Sequence, residues 1–139
     1  MTDFAELRKQ MIKYQLATRG LKDDALLNAM NTVPREKFVP TELIEFAYQD
    51  SPLPIAASQT ISQPYIVALM IAALELKPED KVLEVGTGSG YAAAVLSKLA
   101  RKVFTIERHK VLADSARVTL HHLGYKNALV YQADGTLGL

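Results

Sequence analysis

The stretch from Lys81 to Glu107 constrains this chain more than any other. Val82 to Val85 is a short apolar run with β-branched residues at both ends, the pattern of a buried strand. Gly86, Gly88 and Gly90 follow in the spacing G-x-G-x-G, which predicts a tight turn whose backbone a ligand can approach closely. Tyr91 to Leu99 is rich in good helix formers, among them Ala92, Ala93, Ala94, Leu96 and Leu99. Lys102 to Ile106 reads as a second strand, and Glu107 closes it. The result is a βαβ unit with a glycine-rich first turn and an acid at the end of its second strand.

An acid so placed accepts hydrogen bonds from ribose hydroxyls, while the glycine turn admits the rest of a nucleotide-like ligand. Glu107 lies 21 residues after Gly86 (107 − 86). Two cofactor classes separate on one detail. A dinucleotide fingerprint has the spacing G-x-G-x-x-G and sets a pyrophosphate on the helix N-terminus. Here the spacing is shorter, and Glu84 stands two residues before the first glycine. A carboxylate there repels pyrophosphate and suits a cationic amine. S-adenosyl-L-methionine carries an amine, a sulfonium, a ribose and an adenine, so it is expected ahead of a dinucleotide or an empty turn. A third strand is expected over Ala128 to Gln132, followed by Asp134 and Gly135. Parallel strands present their C-terminal ends together, so Asp134 shares an edge with Gly86 and Glu107. There it reaches an adenine amine, or it merely forms an Asp-Gly turn.

The rest of the chain is consistent with an α/β protein. Phe4, Leu7, Met11 and Tyr14 make one apolar stripe on a helix over about Asp3 to Ala17. Asp23 or Asp24 can cap a second helix through Met30, with Leu26, Leu27 and Met30 inward, and Pro34 stops it. Thr41 can cap a short helix, Glu42 to Tyr48; Gln49 to Ser58, with Pro52 and Pro54, reads as an extended loop. Pro64 fits the first turn of a helix running to about Leu76, with Ser62 or Gln63 as cap. That helix is apolar all round, which predicts burial. Another runs from Lys110 to Leu123, stopped by Gly124. The expected division is a helical and loop segment over residues 1–58 and a Rossmann-like cofactor-binding part, a parallel sheet with helices, over residues 59–139.

Length and composition exclude several classes. The 139 residues suit one domain, and 49% hydrophobic with 22% charged residues is a globular balance. A net charge of +1 makes no case for nucleic acid or an anionic membrane surface. With no cysteine there is no disulfide, thiol nucleophile or thiolate zinc site. The N-terminus is no signal peptide and the longest apolar stretch, Tyr65 to Leu74, is too short to span a bilayer, so a cytoplasmic location is expected. His109, His121 and His122 read as surface residues, and no metal site is expected.

Several blocks together resemble the protein-L-isoaspartate (D-aspartate) O-methyltransferases, a family of class I S-adenosylmethionine-dependent methyltransferases. They are Val33-Pro34-Arg35-Glu36-Lys37-Phe38-Val39, Ala47-Tyr48-Gln49-Asp50, Pro52-Leu53-Pro54-Ile55, Gln59-Thr60-Ile61-Ser62-Gln63-Pro64, Val82 through Tyr91, Ile106-Glu107-Arg108 and Asp134-Gly135. The glycine loop alone indicates only a class I methyltransferase. The block Thr60 to Pro64 is much more specific. The resemblance implies methyl transfer to the free carboxylate of L-isoaspartyl residues in damaged proteins, with S-adenosyl-L-homocysteine as the cofactor product. The ester then collapses to a succinimide that partly reopens as aspartate. It also implies that Ser62 is the active-site serine. Gln59, Thr60, Glu84, Gly86, Thr87, Gly88, Ser89, Gly90, Glu107, Arg108, Asp134 and Gly135 would line the cofactor site.

Two departures stand out. Members of that family usually carry glycines where this chain has Ala56-Ala57-Ser58, and they continue for several more strands. The chain is therefore expected to be the front part of a longer protein, self-associating through its incomplete sheet and poorly active alone. The other readings are a non-catalytic module that binds cofactor or a partner, and a class I methyltransferase with an RNA or small-molecule substrate. The first is separated by isotope transfer to an isoaspartyl peptide. The Thr60–Pro64 block argues against the second.

The expected chemistry needs no strong base, because a carboxylate with a reference pKa of ~4 is ionised at pH 7. Ser62 precedes a helix whose first amides and dipole favour an anion, so its hydroxyl and those amides would hold the isoaspartyl carboxylate in line with the methyl group. Otherwise Ser62 is a plain helix cap.

Overall fold

The computed structural model describes residues 1–137. Asp3 accepts a hydrogen bond from the Glu6 N–H and starts α1, Phe4–Met11. The helix continues through a π turn, Ile12–Leu16, and a 3-10 turn, Ala17–Arg19, until Gly20 closes it at φ 93°. Asp23 accepts from the Leu26 N–H and caps α2, Asp24–Thr32, with Leu26 and Met30 buried. The helix expected after Thr41 forms instead as a 3-10 turn, Thr41–Phe46. Pro40 holds its cap position, and the Thr41 side chain caps nothing. Six residues cannot recover the cost of nucleating an α-helical ladder without a cap. An earlier 3-10 turn, Arg35–Phe38, carries the first resemblance block.

The Pro-rich loop is extended as expected, and Leu53–Pro54 (β1) pairs antiparallel with Thr60–Ile61 (β2). Between them Ala57 and Ser58 take φ of 57° and 55°. Left-handed backbone is strained for residues with a Cβ, and this chain carries that strain at both positions. Next comes α3, Pro64–Ala73, with proline in its first turn. It ends three residues short of Leu76, where Glu75 takes φ 50°. The expectation that it is buried all round is corrected. Val67, Ala68 and Ile71 are buried, but Ile66, Leu69, Met70 and Leu74 are exposed.

The sheet proper has three parallel strands, β3 (Lys81–Val85), β4 (Lys102–Glu107) and β5 (Ala128–Gln132), in the order β3-β4-β5. The crossovers are α4, Tyr91–Ser97, and α5, Lys110–His122. Both step the same way along the sheet, so right-handed crossovers place them on one face. Burial agrees. Val82 and Val103, register partners, are buried. One residue along, Leu83 is 50% and Val85 62% exposed. Phe104 and Tyr131, on the same face, stack on each other with ring centroids 6.4 Å apart. The core runs across residue 58, because Met11, Leu16 and Met30 of the N-terminal helices join the cluster of Val67, Val82, Val95 and Val103. Among the described residues no helix is long and apolar enough to cross a membrane.

Candidate active site

Beyond the C-terminal ends of the strands the glycine loop turns over the sheet. Gly86, Gly88 and Gly90 have φ of 94°, 56° and 92°. Gly90 does a second job: a Cβ there would press on Ala116 of α5 at 3.3 Å, so its bareness lets α4 and α5 meet. The loop borders a cavity of about 440 Å³. One wall is Glu84 to Ser89; the other is Thr60, Ile61 and Ser62 with Ile66 and Met70 of α3 and Leu74 just beyond its end.

Glu107 is buried and accepts from the Gly88 N–H at 2.9 Å through Oε1 and from the His109 N–H at 2.8 Å through Oε2. It thus ties the loop to the end of β4. Glu84 sits in the cavity wall on a chain of hydroxyls. Thr105, fully buried in β4, donates to Glu84 Oε1 at 2.6 Å, and the Thr87 hydroxyl bonds Thr105 at 2.6 Å. Burial pushes the Glu84 carboxyl up to about 7, against the pull of the Thr105 hydrogen bond, and the nearby Glu107 charge raises it too. A cation entering the cavity would reverse that shift. Cavity, desolvated acid and buried ribose-type acid fit an amine-bearing adenosyl cofactor.

Ser62 lines the same cavity from the opposite wall, exposed at the entry to α3. It is not a cap: Gln63 holds the cap position, and neither side chain bonds the first turn. Pro64 has no N–H, and the remaining amides at the start of α3 carry no side-chain cap.

The family model for protein-L-isoaspartate (D-aspartate) O-methyltransferase matches residues 6–139. The chain belongs to that family. It is 57% identical to the protein-L-isoaspartate O-methyltransferase of Koribacter versatilis (strain Ellin345) over 139 residues, covering all of this chain and 63% of that protein. A solved protein-L-isoaspartate O-methyltransferase superposes with a TM-score of 0.85 at 28% identity, over 95% of this chain and 44% of the other. A putative protein-L-isoaspartate O-methyltransferase from Plasmodium falciparum, solved in complex with S-adenosyl-L-homocysteine, gives 0.77 at 26% identity, over 96% and 64%. The chain thus spans a little under two thirds of these relatives' length, or less.

Of the residues expected at the cofactor site, Thr60, Glu84, Gly86, Thr87, Gly88 and Ser89 line one cavity with Ser62. Glu107 touches it through Gly88. The others stand apart. The Gln59 amide donates to the Ala57 carbonyl of its own loop at 3.1 Å. Arg108 is exposed, and its carbonyl accepts from Gln132. Asp134 turns onto Thr136, accepting from its N–H at 3.0 Å and its hydroxyl at 2.8 Å, which holds its carboxyl below the ordinary range. Gly135 packs against Val85 so closely that a Cβ would collide with Cγ1. Sequence reasoning gave no part to Thr105, whose polarity inside an apolar strand was the available signal. It gave none to Arg35, a charged residue in a quoted block whose burial no sequence pattern signals.

Proposed function

We propose that the full-length protein transfers the methyl group of S-adenosyl-L-methionine to the carboxylate of L-isoaspartyl residues in proteins, a repair reaction. The observation that carries this is the facing of two walls across one cavity, the glycine loop with Glu84 on one side and Ser62 at the uncapped start of α3 on the other. Bound along the loop, the cofactor supplies an electrophilic methyl group on a sulfonium. Glu84 pairs with its amine, and Glu107 accepts from its ribose while holding Gly88 in place. Asp134 and Gly135 close the adenine end. Ser62 Oγ and the N–H groups at the start of α3 would hold the substrate carboxylate with one oxygen placed to accept the methyl group that the bound cofactor would supply. Such alignment supplies roughly 7–11 kcal/mol in favourable cases.

The measurement is transfer of isotope from labelled S-adenosyl-L-methionine to an isoaspartyl peptide, with the aspartyl peptide as control. Ser62→Ala should lower turnover far more than cofactor affinity, the mark of an interaction made in the transition state. Labelling of both peptides alike, or an unchanged rate in the variant, would overturn the assignment of substrate or of Ser62. The bare sheet face further supports self-association of the 139-residue chain by itself.

A further inference from the structure

Arg35 is the largest fully buried side chain of the protein. A cation at that depth needs a reason, since a well-packed apolar residue is usually as stable or more so. Among the described residues no carboxylate bonds it. The neighbouring acid, Glu36, is taken by Arg8 at 3.2 Å and by the Tyr48 hydroxyl at 2.5 Å. The guanidinium of Arg35 instead lies 4.9 Å from the centre of the Tyr91 ring and donates to two carbonyls, Ala47 at 2.6 Å and Ser62 at 2.9 Å. Those acceptors lie on separate segments, so the fork fastens the turn at Ser62 to the N-terminal part of the fold. Burial lowers its pKa, but an arginine remains charged at neutral pH. Its positive charge, not cancelled by an acid, therefore lies directly behind Ser62.

The solvent side of the same turn is also held. The Gln63 amide donates to Asp50 Oδ1 at 2.7 Å, and Asp50 is gripped by both terminal nitrogens of Arg19. Ser62 and Gln63 are thus anchored from beneath by a main-chain bond and from outside by a side-chain bond. Neither side chain bonds the first turn of α3, so these two bonds fix the entry angle of the chain.

We infer that Arg35 and Asp50 are positioning residues for methyl transfer, clamping the Ser62–Gln63 turn so that the serine hydroxyl and the α3 amides meet the substrate carboxylate. Arg35 adds a buried positive charge that favours an anion at that place. The inference rests on the proposed role of Ser62. It gives a task to the Val33–Val39 block, which makes no contribution to the cavity wall.

The test uses the full-length protein with labelled S-adenosyl-L-methionine and an isoaspartyl peptide. Arg35→Lys keeps the charge and loses the fork; Asp50→Ala frees Gln63 at an exposed site. Each should lower kcat, Arg35→Lys roughly tenfold or more, with cofactor affinity held within about twofold. Each combined with Ser62→Ala should be little worse than Ser62→Ala alone, because a clamp has nothing to position once the hydroxyl is gone. If Ser62→Ala itself has the normal rate, the reading of the site fails and this inference with it. If Ser62→Ala is slow but the clamp variants turn over normally, or their losses multiply fully with it, the inference alone is overturned. Should Arg35→Lys not fold, Asp50→Ala decides by the same criteria.

Discussion

Glu84 is the residue whose environment most directly couples the site to pH. Its carboxyl is raised from an ordinary 4.5 to about 7, chiefly by burial, with the Glu107 charge adding and the Thr105 hydroxyl opposing. A raised acid contributes stability that is fully present below pH 4.5 and is lost as pH rises through about 7. The ligand-free protein should therefore become less stable over that interval, by an amount on the order of 3 kcal/mol. A cationic amine beside Glu84 pulls the other way, so binding below pH 7 must expel a proton. Affinity for S-adenosyl-L-homocysteine, measured by calorimetry from pH 5 to pH 8, should tighten as pH rises towards about 7 and then level. Glu84→Gln should flatten the curve. Thr105→Val, nearly the same size, removes the donor that favours the ionised form and should move the rise to higher pH. A wild-type affinity independent of pH would separate Glu84 from the amine.

At the scale of elements, the end of β3 and the turn after β5 meet without room to spare. The short 3-10 turn Gly135–Leu137 lies over Val85, and the contact depends on Gly135 having no side chain. Its φ is not in the left-handed region, so the constraint is closeness alone. Gly135→Ala should cost about 1–3 kcal/mol by overpacking, because Val85 is stiff at χ1 and cannot swing aside cheaply. Val85→Ala in the same chain should restore most of the loss. Thermal unfolding of the single and double variants measures both. Equal stability for Gly135→Ala and the parent would mean the turn does not pack on β3. Since Asp134 heads this turn, the same displacement should loosen the adenine end proposed for the site.

Over the whole molecule, one face and both edges of the sheet remain uncovered among the described residues. Leu83 and Val85 on that face, and Met70 at 67% and Leu74 at 53% on the adjoining helix, are apolar and exposed. Among the described residues neither β3 nor β5 has a strand on its outer edge. Open backbone groups next to apolar side chains favour pairing with another chain. The 139-residue chain should therefore run as a dimer or larger species in size exclusion with light scattering. Replacing Leu83 and Met70 by lysine should shift it towards monomer, since both are already in water and the change removes little core. A dilute monomer with a cooperative unfolding transition would show that the bare face is tolerated.

The sequence alone determined the local elements of the cofactor half. The spacing of Gly86, Gly88 and Gly90, the apolar runs and Glu107 specify a strand, turn, helix and strand through short-range sterics and periodicity, and these form with boundaries shifted by one or two residues. Asp23 as a cap and Pro64 as a helix start were legible for the same reason. What the tertiary structure decided depends on which groups meet across long separations. Burial of α3 was misjudged because hydrophobicity does not say whether a neighbour exists to cover a face. Ser62 and Gln63 read locally as candidate caps, but a hydrogen bond from Arg35, 27 residues away, and another to Asp50 set their conformation instead. The rise at Glu84 needs the burial that folding imposes and the Glu107 charge of the next strand, with Thr105, brought alongside by register, opposing it. Desolvation and directed hydrogen bonds between distant segments exist only once the chain has folded, and they turn a recognisable nucleotide-binding pattern into a site with two defined walls.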